Sequence, residues 1–124
     1  MEERRKFIRL STRLHATYQV IGTEDTLTSL TRNVGGGGLS LFTESRLAPG
    51  TVLKMQVTFP QRTAPVHFSA EVIWSGPLLL EGADRRPDVF ETGVRFRQIT
   101  PRDRAVVMQY AAATRSAAAR PPQG

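Results

Sequence analysis

The sequence contains no cysteine. This absence excludes disulfide bonds, thiolate metal sites and cysteine nucleophiles, and it is compatible with a reducing compartment. Long hydrophobic runs are also missing: the densest is Leu78–Leu80, whereas a membrane-spanning helix needs about 20 apolar residues. The basic residues 1–9 are followed by no apolar stretch with a small-residue cleavage site, so no secretory signal is predicted. We therefore expect a cytoplasmic protein.

Histidine is scarce as well, with His15 and His67 as its two instances. Both are predicted on different strands and opposite to the apolar faces, so we expect them to be exposed and unsuited to hold a metal ion. The sequence also has no signature of an activated nucleophile, no paired carboxylates within one motif and no metal-binding box. These absences predict a protein without enzymatic activity, metal or cofactor.

Arginine, by contrast, is abundant: it supplies 15 of the 17 basic residues, and the net charge is +6. The excess lies at the two ends, since residues 1–10 and 102–124 carry +2 and +3 while residues 11–101 carry +1. A sheet that followed a polynucleotide would carry the surplus itself, so nucleic acid is disfavoured as a partner. Arginine suits bidentate contacts with phosphates and guanine edges, although GC-rich coding bias explains the global excess equally well.

A chain of 124 residues with 40% hydrophobic content indicates one globular domain. From residue 13 to residue 99, apolar residues alternate with polar ones, as half-buried strands require. Six such segments are separated by turn residues and by no helix, which predicts antiparallel pairing. The longest alternation ends at Trp74, which we expect in the core. The predicted fold class is all-β with a C-terminal helix, built on a six-stranded antiparallel β-barrel.

The periodicity changes after the last predicted strand. Thr100, Pro101 and Asp103 have the residue types of an N-cap, a first helical residue and an acidic first turn. The apolar stripe from Val106 to Thr114 would pack on the barrel. The predicted organisation is a flexible basic segment over residues 1–12, the barrel over 13–99, the helix over 100–119 and a disordered tail over 120–124.

Two motifs stand out against this background. The first is the pair Arg5 and Arg9, preceded by Arg4, in the segment before the first strand. Such guanidinium groups can grip phosphates or lie flat on a purine. The second is Asn33 followed by the run Gly35–Gly38, where missing side chains allow positive φ and close approach by a ligand. No Gly-Lys-Ser/Thr sequence follows, so the run is not a Walker loop.

Together these motifs resemble the PilZ domain, a bacterial receptor for cyclic di-GMP. That family has an RxxxR motif and, roughly twenty to thirty residues later, a [D/N]xSxxG motif. Arg5 and Arg9 match the first motif, and Asn33 and Gly38 match the ends of the second. Residues 71–74 and 93–96 resemble the last two strands of the family. The resemblance implies a six-stranded split barrel followed by a helix, in agreement with the fold predicted from periodicity.

The resemblance also implies roles for individual residues. Arg5 and Arg9 would contact the phosphates of cyclic di-GMP and stack on or bond its guanines. Arg4 precedes the motif and is added as a further candidate ligand contact. Asn33 would meet a guanine edge, and Gly38 would leave room for the ring. The ligand itself would be the only small molecule bound.

Gly35 stands where the family has serine. A neutral hydrogen bond from a hydroxyl contributes about 0.5–1.5 kcal/mol net, so its loss would weaken binding by roughly tenfold at most. Charge-assisted bonds from Arg5 and Arg9 contribute about 1.5–3 kcal/mol each, which favours a weakened binder over an inactive one. Gly35 therefore stays in the predicted site. Arg95 is expected to point outward from the last strand and is added as a candidate ligand contact.

Simpler interpretations remain open, because the arginine segment could be a solvated basic leader and the glycine run a structural hairpin or bulge. We expect a non-catalytic cyclic di-GMP receptor that signals by ligand-induced ordering of the arginine segment, which a downstream protein partner recognises. Membrane insertion is not expected. One alternative is a degenerate PilZ adaptor that binds a protein partner without nucleotide, as Gly35 suggests. Another is a basic barrel for single-stranded nucleic acid, which the near-neutral strands disfavour.

Overall fold

The structure, a computed structural model, describes residues 13–60, 62–78 and 89–119, with side chains described as far as residue 114. The predicted basic segment 1–12 and tail 120–124 lie outside the described residues. Strands and helix follow one another in the order β1 (His15–Val20), β2 (Leu27–Val34), β3 (Gly38–Thr43), β4 (Val52–Val57), β5 (Val66–Pro77), β6 (Phe90–Ile99) and α1 (Pro101–Ala119).

The six strands form a closed antiparallel barrel in the order β1-β2-β3-β6-β5-β4. Strands β1 to β3 and β4 to β6 form two meanders, which join where β3 pairs with β6 and where β1 pairs with β4. Closure leaves no strand edge within the barrel that another chain could extend. The predicted fold class is confirmed.

The core follows the period-two alternation of the sequence. In β4, Leu53, Met55 and Val57 are almost fully buried, whereas Lys54 and Gln56 between them are exposed. Fully burying an aliphatic side chain of this size contributes about 1.5–3 kcal/mol, so inward residues of several strands together supply the main stabilisation. The same alternation places His15 and His67 on the surface, as predicted.

Helix α1 begins where the sequence predicts it. The backbone N–H of Asp103 donates to Oγ1 of Thr100 at 3.1 Å, and the N–H of Arg104 donates to the carbonyl of Thr100 at 2.8 Å. Thr100 is therefore the N-cap. The Asp103 carboxylate accepts a hydrogen bond from the backbone N–H of His67 at 3.2 Å, which ties the first turn to β5.

One face of α1 covers the barrel. Val106, Val107 and Ala111 are buried, and the ring of Tyr110 packs edge-on against Phe59 with centroids 5.3 Å apart. The predicted apolar stripe is confirmed. In the described part of the chain, no helix has the length and apolar character needed to cross a membrane.

Trp74 does not lie in the core. Val72 pairs with Val94, but Trp74 pairs with Gly93, so Ile73 is an extra residue in β5 and forms a bulge. The bulge resets the alternation: Ile73 and Trp74 are 51% and 47% exposed. The prediction of a core tryptophan is therefore wrong, because it extended the period of two through a residue that has no partner on β6.

Candidate functional site

Asn33 reaches the surface through an irregularity in β2. The register with β3 shifts between Thr31 and Val34, and both of these residues are buried. The two residues between them, Arg32 and Asn33, are therefore both on the outer side, with Asn33 exposed. An uninterrupted strand would have turned one of them inward.

The glycine run after Asn33 forms a tight connection between β2 and β3. The N–H of Gly35 donates to the carbonyl of Gly38 at 2.8 Å. None of the four glycines has positive φ, which occurs at Gly22 and Gly50 instead. Left-handed backbone therefore does not explain the run. Close packing explains Gly38 and, to a lesser degree, Gly36, where a Cβ atom would lie 3.1 Å from Sδ of Met108, whereas a Cβ atom at Gly37 would have no neighbour within 4 Å.

Gly38 illustrates this close packing. A Cβ atom at this position would overlap the carbonyl oxygen of Val94 and come within 2.9 Å of the Cα of Arg95. Gly38 is also the partner of Arg95 in the β3–β6 ladder. Glycine is thus required here for the approach of β6, and the space on that side is filled by protein backbone.

A second close approach brings an aromatic ring to the same surface. The indole of Trp74 lies over the backbone of Gly93, where a Cβ atom would overlap Cε2 and Nε1 of the ring. Glycine within a strand commonly marks such a contact. The ring is therefore supported from below by β6 while about half of its surface stays accessible.

These features enclose an open cavity of about 320 Å³. Its wall combines the end of β2, the glycine run, the start of β3 and the bulged segment of β5 with the facing part of β6. The lining residues are Asn33, Val34, Gly35, Gly38, Leu39, Ser40, Ile73, Trp74, Gly93 and Val94.

Arg95 lies next to the cavity wall and points outward, as predicted. Its guanidinium donates from Nε and NH2 to Oε1 of Glu71 on β5, at 3.2 and 2.8 Å. The hydrogen bond and the positive charge of Arg95 hold the pKa of Glu71 below its ordinary value. With 62% of its side chain exposed, Arg95 is paired and yet accessible to a ligand.

A second ion pair lies beside Asn33. NH1 of Arg32 is 2.9 Å from Oε1 of Glu91, and the hydroxyl of Ser40 donates to the other carboxylate oxygen at 3.2 Å. Arg95 and Arg32, which flank the cavity lining, are thus each paired with a glutamate. An anionic ligand would need further positive charge from other residues.

The structure brings together part of the predicted site. Asn33, Gly35 and Gly38 line one cavity, and Arg95 is adjacent to it through its pairing with Gly38. The predicted contacts Arg4, Arg5 and Arg9 lie outside the described residues. Within the described residues, no group of three or more histidine, aspartate or glutamate side chains could hold a metal ion.

Among the lining residues that sequence reasoning did not assign to the site, Trp74 and Gly93 matter most for its shape. A signal was present for each. The three apolar residues from Val72 to Trp74 interrupt strict alternation, and a glycine inside the last strand indicates that another group approaches its backbone.

Comparison with solved structures supports the fold. The structure of the Bacillus subtilis inhibitor of motility, MotI/DgrA, matches 89% of this chain with a TM-score of 0.68 and 17% identity. This chain spans half the length of that protein. The PilZ domain of YcgR from Escherichia coli, solved with c-di-GMP, matches 88% of this chain and 86% of its own length, with a TM-score of 0.63 and 16% identity.

Comparison with curated proteins finds no match. At the level of families the result is clear, because residues 3–113 match the family model of the PilZ domain. This match extends from the arginine segment through the barrel to most of α1. The chain therefore belongs to the PilZ domain family.

Proposed function

We propose that this chain is a non-catalytic receptor for cyclic di-GMP, with one guanine resting at Trp74 and the arginine segment closing over the nucleotide. Family membership supports the ligand class, as does the PilZ domain of YcgR that was solved with c-di-GMP. A cytoplasmic location and a downstream protein partner are parts of the same proposal.

The observation that carries this proposal is the position of Trp74 beside Asn33. A supported, half-exposed indole offers a stacking surface, and stacking of a base on an aromatic ring contributes about 1–3 kcal/mol. The amide of Asn33 supplies a donor and an acceptor for the edge of a base on that ring. A ring and an amide on one cavity wall are suited to a purine.

The remaining binding energy must come from positive charge. The cavity of about 320 Å³ lies at the low end of the range for ligand sites, and it accommodates one part of a dinucleotide. Arg32 and Arg95 are engaged by Glu91 and Glu71. We therefore assign the phosphates and the second guanine to Arg5 and Arg9. Ordering of that segment on binding would create the surface that a partner recognises.

Titration calorimetry with cyclic di-GMP, GMP and GTP tests the proposal. One charge-assisted hydrogen bond contributes about 1.5–3 kcal/mol to binding. We therefore expect Arg9→Ala to weaken binding of cyclic di-GMP at least about tenfold. Arg62→Ala removes an exposed arginine of the β4–β5 connection and serves as the matched control, with unchanged affinity. Absence of heat for the wild type at high micromolar ligand, or equal binding of GMP, would refute the receptor.

A second candidate is an adaptor that has lost nucleotide binding. Gly35 favours it, because the serine hydroxyl of the family motif is missing there. The two candidates differ in one measurement. An adaptor gives no calorimetric signal with cyclic di-GMP either as wild type or as Arg9→Ala, whereas a receptor gives a signal that the substitution reduces.

A further inference from the structure

A second and larger groove, of about 1010 Å³, lies on the outer surface of β1, β4, β5 and β6. A row of polar side chains crosses it from strand to strand: Gln19 pairs with Lys54, Lys54 with Ser69, and Ser69 with Gln98. None of the residues that line this groove lines the cavity at Trp74. The two sites are therefore separate parts of the surface.

The groove is positively charged. Lys54 and Arg97 line it together with His67, and no carboxylate does. In the described part of the chain neither Lys54 nor Arg97 forms an ion pair, in contrast to Arg32 and Arg95. Arg97 is exposed at a shift in the β5–β6 register, where Ser69 pairs with Gln98 and Ala70 with Phe96. The shift leaves Arg97 without a ladder partner on β5. The pKa of Glu71 is lowered chiefly by its hydrogen bonds with Arg95, and the charge of Arg97 contributes to the same shift.

The lining limits the kind of occupant. Small-molecule sites are mostly apolar, whereas amide and hydroxyl groups are about as prominent as apolar groups in the lining of this groove. Sites for single-stranded nucleic acid combine a basic groove with several exposed aromatic rings for stacking, whereas in this lining Phe68 is buried and the imidazole of His67 is the one exposed ring. Amides such as those of Gln56 and Gln98 donate to and accept from a peptide backbone, and the cations attract carboxylates.

We infer that this groove docks an acidic segment of a partner protein, with Lys54 and Arg97 as its charge contacts. The inference goes beyond the proposed nucleotide site and does not depend on it, since the two sites have no lining residue in common. A nucleotide and an acidic segment could therefore bind at the same time.

Fluorescence anisotropy with a labelled octaglutamate peptide tests the inference on the full chain. We expect the double variant Lys54→Glu, Arg97→Glu to bind the peptide at least about tenfold more weakly, because both charges that contact the acidic ligand are reversed. The control double variant Arg62→Glu, Arg104→Glu changes the net charge equally at exposed residues outside the groove lining, and we expect its affinity within about twofold of the wild type.

Three outcomes would overturn the inference: no binding of octaglutamate by the wild type, equal losses in both double variants, or displacement of the peptide by an equal concentration of oligodeoxythymidylate. The last outcome would identify a nucleic-acid surface. Thermal unfolding monitors the fold of each variant. If the charge-reversed groove variant does not fold, the neutral pair Lys54→Gln, Arg97→Gln replaces it, with the same order of affinities expected.

Discussion

The indole ring of Trp74 occupies the space that a side chain at position 93 would fill. Two irregularities create this relationship: the bulge at Ile73, which turns Trp74 outward, and the glycine on β6 that faces it. Since Asn33 lies on the same cavity wall, the ring is held where a base could stack on it and hydrogen-bond to a neighbouring amide.

Gly93→Ala should displace this ring. The added methyl group would overlap the indole, and overpacking of this kind costs about 1–3 kcal/mol of unfolding free energy unless the ring moves. We expect a changed tryptophan emission spectrum and weaker binding of cyclic di-GMP. Gly76→Ala is the control, because a Cβ atom there has no neighbour within 4 Å. Identical emission from wild type and Gly93→Ala would contradict the packing of Trp74 on β6.

Gly35→Ser should strengthen nucleotide binding. A Cβ atom at Gly35 meets only the carbonyl of Gly38, at 3.8 Å, and its φ is not positive, so serine fits without strain. The restored hydroxyl contributes about 0.5–1.5 kcal/mol, which corresponds to an affinity increase of up to about tenfold in calorimetry. Gly37→Ser makes the same chemical change where a Cβ atom has no neighbour within 4 Å. Equal effects of the two serines on affinity would contradict a specific contact between the ligand and a hydroxyl group at position 35.

Glu71→Gln should release Arg95. The amide keeps the shape of the side chain and removes the charge, so Arg95 becomes available to a phosphate, and we expect affinity for cyclic di-GMP to increase by roughly twofold to fivefold. Glu44→Gln makes the same chemical change at an exposed glutamate that forms no ion pair within the described residues, and it should have no effect. Weaker binding by Glu71→Gln would show that the ion pair positions Arg95 productively.

The same ion pair makes a contribution to stability that depends on pH. Because the folded-state pKa of Glu71 is lowered, mainly by its hydrogen bond with Arg95, the contribution is complete above the pKa of an unfolded glutamate. It is lost as the pH falls through the lowered value. Carboxyl carbon NMR should show Glu71 titrating below its ordinary pKa in the wild type and at a higher pH in Arg95→Ala. An identical titration in both proteins would exclude the pairing.

Thr100→Ala should loosen the start of α1. The hydroxyl of Thr100 accepts the N–H of Asp103, and loss of an N-cap costs about 0.5–2 kcal/mol. Urea unfolding measures the change in the free energy of unfolding. Thr100→Ser keeps an acceptor oxygen and should restore most of the stability, whereas equal losses for alanine and serine would exclude capping as the cause.

Local sequence patterns were sufficient to predict the strands and the helix start. The alternation of Leu53, Met55 and Val57 directly encodes which side chains face the core, and Thr100 and Pro101 combine residue types that favour the first turn of a helix. Such patterns involve only residues close together in the sequence. They can therefore be recognised before it is known which strands pair.

The site depends on relationships between distant strands, which no local pattern contains. The bulge at Ile73 is defined by the pairing of β5 with β6, so the sequence alone placed Trp74 on the wrong side of the barrel. The contact of Glu71 with Arg95 likewise follows from the register of those strands. Gly38 was recognised by its place in a motif, but the approach of β6 that requires it was visible only in three dimensions.

Intrinsic fluorescence during titration with cyclic di-GMP tests the central claim most directly, because Trp74 is the single tryptophan of the sequence. The account predicts saturable quenching of its emission, with a midpoint that matches the calorimetric affinity and shifts to higher ligand concentration in Arg9→Ala. Unchanged emission at ligand concentrations that saturate the calorimetric signal would place the nucleotide away from Trp74 and contradict the proposed site.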